Sequence, residues 1–180
     1  RYANSDGAWL VTLCAFNQNR IDQQIRWLVR VLATRGMPSI MLQTKLEFLV
    51  EELLAVVPEK KAEYERLAVA AYALQAARHR HINKERLESI ARDFELAVGP
   101  NWSEKFKGSG TLLACSVADA LAGIDGAISS LGNWMTDASR FPAQWTQAAE
   151  AAMRQAKQFA EGIPPANPER PTNFPPVTLS

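Results

Sequence analysis

The chain is predicted to fold as an all-α protein, a compact bundle of about seven helices. Three observations carry that expectation. Apolar residues recur three and four apart through most of the first 161 positions, which is the period of a helix face. No segment alternates with period two, so no sheet is expected. Asn, Pro and Gly fall where helices start and stop. The expected organisation is one helical domain over residues 1–162 and an extended tail over 163–180.

The elements follow in order. Asp6 can cap a first helix, about 6–16, that buries Trp9, Leu10, Leu13, Cys14 and Phe16. Asn17-Gln18-Asn19 interrupts it, and Asn19 can cap a second helix, about 20–35, with Ile21, Ile25, Leu28, Val29 and Leu32 on one face and Gly36 as its stop. Trp27 lies opposite that face, which predicts an exposed contact residue or part of a partner interface. Pro38 suits the first turn of a third helix, whose stripe runs from Leu42 to Val57. Pro58 opens a fourth, about 59–81, with Tyr64, Leu67, Ala68, Ala71, Tyr72 and Leu74 inward. Asn83 can cap a fifth, about 84–98, which Gly99-Pro100 ends. A connector containing Trp102 and Phe106 leads to a long sixth helix, about 111–136. Pro142 starts the seventh, about 142–161, Ala-rich with Trp145 inward. Six prolines among the last 18 residues cannot continue a helix.

The sixth helix carries a stripe of small residues, Ala114, Ala118, Ala122, Gly126 and Ser130, each four apart. Such a ridge lets another backbone come close, favouring a crossing near about −50°. The stripe serves either the chain's own core or a second chain, with Ala118, Ala122 and Gly126 at its centre. Facing the core, Ala122→Leu costs on the order of 1–3 kcal/mol by overpacking.

Composition narrows the partners. Of 180 residues, 47% are hydrophobic and 22% charged, ordinary values for a soluble globular protein, and the net charge of +1 gives no electrostatic reason to expect nucleic acid. No stretch approaches the ~20 apolar residues that span a membrane. Two cysteines, Cys14 and Cys115, make no disulfide framework and read as buried free thiols. No secretory signal is visible, so a cytoplasmic location is the expectation, although the chain begins at Arg1 rather than Met.

Chemistry concentrates in Arg78-His79-Arg80-His81, which holds the only histidines. Residues two apart on a helix point about 200° apart, so the pair cannot grip one metal. Three readings stand side by side: a cationic helix end that complements the helix dipole, one histidine turned inward as an axial ligand, or an anion site made with Lys84 and Arg86. Di-iron Glu-x-x-His pairs are absent, Glu47 and Glu51 read as a solvated face, and Cys115 sits where a thiolate is disfavoured. No catalytic constellation is assembled.

From Leu74 to Leu87, then a helix ending at Gly99, Trp102-Ser103-Glu104 and a long core helix, the chain resembles the back half of a globin over roughly residues 60–135. The resemblance implies His79 as the proximal ligand to a haem iron, with Gln43 or Lys45 of the third helix on the distal side and Tyr72 in the same pocket. It is equally consistent with a haem-less globin-like sensor. The expected function is therefore a sensory or regulatory domain that binds haem or a small apolar ligand between the third and fourth helices, or signals through helix packing. The alternative is a helical interaction module with no cofactor, which docks a homodimer partner or another protein through Trp27 or the small stripe.

Overall fold

The structure, a computed structural model, describes residues 2–162, with side chains described from residue 7 onward. The proline-rich segment 163–180 lies outside the described residues. Among them the chain is all-α, with no strand.

The described residues form nine helices: α1 (Tyr2–Leu13), α2 (Gln18–Ala33), α3 (Ser39–Val56), α4 (Lys61–His79), α5 (Lys84–Val98), α6 (Pro100–Lys105), α7 (Ser109–Leu121), α8 (Ala127–Met135) and α9 (Ala143–Glu161). A 3-10 turn, Pro58–Lys60, leads into α4.

The capping chemistry explains most boundaries. Asn83 caps α5 as the sequence predicts, its side chain accepting from the Arg86 N–H at 3.0 Å. In α2 the cap is Asn17 rather than Asn19, because its side chain reaches the Arg20 N–H. The helix α1 starts at Tyr2, so Asp6 lies inside it rather than capping it. After α2 the chain makes a Schellman turn: Met37 N–H donates to Leu32 O and Gly36 N–H to Ala33 O, with Gly36 at φ 76°.

The largest departure from expectation is the sixth helix. It is broken into α7 and α8 by residues 122–126, where Gly123 and Gly126 adopt φ of 79° and 103°. Those angles suit glycine and end a helix. The five-residue stripe is therefore not one ridge. Ala114 and Ala118 are fully buried in α7, Ala122 is half-buried in the turn, and Ser130 donates to Thr34 O at the end of α2. Connector residues 100–105 form α6, because Pro100 is a favourable first helical residue.

Two apolar cores form in sequence order. The first packs α1–α4 through residues such as Leu10, Ile21, Ile25, Leu46 and Leu67. The second packs α5–α9 through Ile90, Phe94, Leu113, Val117 and Trp145. Trp145 is the centre of the second, stacked on Phe141 at 5.0 Å and edge-on to Phe94 at 5.0 Å. Aromatic pairs at this spacing add about 0.5–1.5 kcal/mol beyond area burial. Gly110 lets α7 approach α5: a Cβ there would lie 2.9 Å from Phe94 Cβ.

Two side chains expected inside, Phe16 and Tyr72, are about half exposed, as is Leu121. Phe16 follows the end of α1, Tyr72 projects from the flank of α4, and Leu121 is the last residue of α7 before the break. Trp27 is exposed as predicted, and touches Trp9 edge-on at 6.4 Å. Both cysteines are free and buried.

Candidate functional site

The inner stripe of α4 runs Leu67, Ala71, Leu74 and then Arg78, which is 2% exposed. A guanidinium so placed must find acceptors. Ser39 and Gln43, one turn apart on α3, supply them: Arg78 Nη1 donates to Ser39 Oγ at 2.5 Å and Nη2 to Gln43 Oε1. Gln43 Nε2 in turn donates to Glu47 Oε1 at 2.7 Å.

From the other side comes Asp119, the only charged residue of α7 and fully buried. Its Oδ1 accepts from the Ser39 hydroxyl at 2.5 Å and its Oδ2 from the Ser39 N–H at 2.6 Å. The Ser39 hydroxyl thus connects the cation of α4 to the anion of α7. This chain of bonds crosses the seam between the two cores.

Electrostatics follow burial. Loss of water pushes the Asp119 carboxyl above its ordinary value; the Ser39 bonds and the charge of Arg78 pull it down but do not offset burial. Burial pushes the Cys115 thiol up to about 12 although Arg78 acts the other way, so it is no nucleophile at neutral pH. Arg78 Nε has no hydrogen-bond partner.

A cleft of about 390 Å³ opens beside this network. Ile40, Leu87 and Ala91 give it apolar walls, Gln43, Arg78 and His79 its polar groups. Lys84, Glu88, Arg92 and Glu95 of α5 also line it. Burial, reinforced by the neighbouring Arg78 charge, holds His79 below its ordinary pKa, which favours the neutral imidazole.

Of the residues singled out in the sequence, Gln43 and His79 meet in this cleft, and Lys45 and Tyr72 do not line it. Lys45 is exposed, two residues and so about 200° around α3 from Gln43. Lys84 joins the cleft, whereas Arg86 turns to α9, donating to Phe159 O at 2.8 Å with its guanidinium 5.1 Å from the Phe159 ring. Ala118 spends its side chain on the chain's own core, and Ala122 and Gly126 flank the α7–α8 turn, where Gly126 lies against the Thr34 backbone. The sequence places Arg78 only in a cationic helix end and does not single out Asp119, although Asp119 is the one charge in an otherwise uncharged helix and Arg78 falls on an inward stripe.

A haem between α3 and α4 does not fit this arrangement. Leu42 and Leu46 of α3 and Leu67, Ala71 and Leu74 of α4 share one core, so a flat macrocycle would have to part the two helices. Among the described residues no group of three or more His, Cys, Asp or Glu side chains is placed to hold a metal ion. No helix of the described residues is long and apolar enough to cross a membrane. Comparison with protein-family models, with curated proteins and with solved structures gives no match.

Proposed function

We propose that the chain is a helical sensory or regulatory domain that binds a compact ligand, smaller than haem, in the cleft beside Arg78. One observation carries this reading: the buried Gln43 and Arg78 belong both to the cleft wall and to the hydrogen-bonded seam between the two cores. An occupant with an acceptor group competes for the same donors that tie α4 to α3. Binding is then coupled to helix packing by its differential contact with the seam. A mostly apolar cleft with a few convergent polar groups is the expected form of a small-molecule site. The resemblance of the sequence around His79 to the back half of a globin favours a sensory role.

The test is a nuclear magnetic resonance titration with a fragment library, with hemin as a separate probe. Saturable shifts at Gln43, His79, Ala91 and Asp119, weakened in Lys84→Ala, support the reading. Fragments that leave those amides unmoved overturn it. A Soret band on adding hemin that disappears in His79→Ala would instead put haem on His79.

The exposure of Trp27, at 57%, favours a second reading, an interaction module that docks a partner through α2. Sedimentation of the wild type and Trp27→Ala separates the two. Self-association lost in the variant supports docking.

A further inference from the structure

On the flank of α4 away from the cleft, a second recess of about 280 Å³ lies between α2, α4 and the turn that follows α7. It shares no lining residue with the cleft of Gln43 and Arg78. Its floor is apolar: Ile25 and Val29 of α2, with Ala70, Ala73 and Ala77 of α4. Three alanines on one face of α4 leave the space open, because a larger side chain at any of them would fill it. Gly123 and Ile124 help to close one end.

Its rim is cationic. Arg26 and Arg30, four apart on α2, and Arg80, one residue beyond α4, line the recess. Asp22 is the one carboxylate among its lining residues, and Asp22 Oδ1 already accepts from Gln18 Nε2 at 2.8 Å. Among the described residues none of the three guanidinium groups has an ion pair or a hydrogen bond, and the ion pairs there lie elsewhere, at Lys61–Glu65, Lys84–Glu88, Arg140–Asp137 and Arg154–Glu150. Like charges four apart on a helix repel and weaken it slightly. On helix α2 only Asp22, one turn before Arg26, is acidic on this row; from Gln23 to Ala33 no further carboxylate offsets the pair.

Arginine presents a planar fork that binds carboxylate and phosphate oxygens two at a time. An apolar floor under such a rim selects an anion with an apolar body. We propose that this recess is a binding site for a small organic anion, its carboxylate or phosphate held by Arg26, Arg30 and Arg80 and its apolar part laid on the alanine floor of α4.

The probes are phenyl phosphate, benzoate and inorganic phosphate, titrated into the whole chain and followed by amide shifts. The expected result is saturable movement of Arg26, Arg30, Ala73, Ala77 and Gly123 with phenyl phosphate or benzoate. Inorganic phosphate is expected to bind at least tenfold more weakly. The exposed double variant Arg26→Gln/Arg30→Gln, with unchanged circular dichroism, is expected to lose at least tenfold in affinity. Ala73→Leu is expected to block the aryl probes by filling the floor. No saturable shift at these amides, binding that survives the double variant, or equal affinity for inorganic phosphate would each overturn the proposal. Shifts confined to Gln43, His79 and Ala91 would overturn it while leaving the cleft reading intact.

Discussion

Asp119 caps helix α3 from 80 residues away, its Oδ2 accepting the Ser39 N–H at 2.6 Å. The residue at the N-cap position is Pro38, which offers no side-chain acceptor. A helix start leaves four N–H groups without intrahelical partners and carries partial positive charge. A carboxylate borrowed from α7 takes up one of those N–H groups and sets a negative charge at the helix start, and the Ser39 hydroxyl extends its reach to Arg78.

Removing that carboxylate is therefore costly. Asp119→Ala leaves the Ser39 donors and the buried Arg78 charge without their anion, and is expected to destabilise by about 3–5 kcal/mol. Asp119→Asn keeps one acceptor and is expected to cost clearly less. Urea unfolding of the three proteins measures the order. Equal stability of Asp119→Ala and wild type would show that the seam contributes nothing.

The close approach of α7 to α5 rests on Gly110. A Cβ there meets Ala91 Cα at 3.0 Å as well as Phe94 Cβ, and backbone cannot swing aside. Gly110→Ala is expected to cost about 1–3 kcal/mol by overpacking, against the small gain alanine normally brings to a helix. Thermal unfolding gives the sign directly.

The former small stripe separates into positions of different tolerance. Ala118 is fully buried, so Ala118→Leu is expected to destabilise by about 1–3 kcal/mol. Ala122, half-buried in the α7–α8 turn, is expected to accept leucine with a smaller loss. Comparable losses at both would mean that the turn is packed as tightly as the helix.

Acid should weaken the fold through the histidines. Burial first, then Arg78 for His79 and Arg80 for His81, hold both below their ordinary value of 6.5. The folded chain binds these protons less readily than the unfolded chain. Stability is thus full above 6.5 and falls as pH drops through that value toward the lowered native ones. Asp119, raised by burial, has the opposite slope: its contribution declines as pH rises above 3.8 toward its native value. A melting-temperature series from about pH 7.5 to 5.5 should show a decline that flattens in His79→Gln/His81→Gln.

Local chemistry made some elements legible. Helix α5 sits at its expected bounds because Asn83 and Gly99-Pro100 mark its ends with side-chain and backbone signals that need no neighbour. The break between α7 and α8 was written as Gly123-Ile124-Asp125-Gly126, but the four-residue spacing of small side chains argued for continuity, and the positive φ of both glycines decides against it. The cleft is half legible: Gln43 and His79, two of the residues the globin resemblance points to, share a wall of it. Its organising pair is not, because Arg78 and Asp119 meet only through Ser39, and no periodicity reports a contact made across three helices.

The two cores follow the order of synthesis. The first closes on residues 10–74 and the second on residues 82–156. A chain emerging from the ribosome completes α1–α4 while α7 is still unmade, and N-terminal segments fold first at about 5–20 residues per second. Until Asp119 arrives, Arg78 is a cation facing Ser39 and Gln43 without its counter-charge. The bonds from Ser39 to Asp119 are thus ones that only a chain translated past α7 can make.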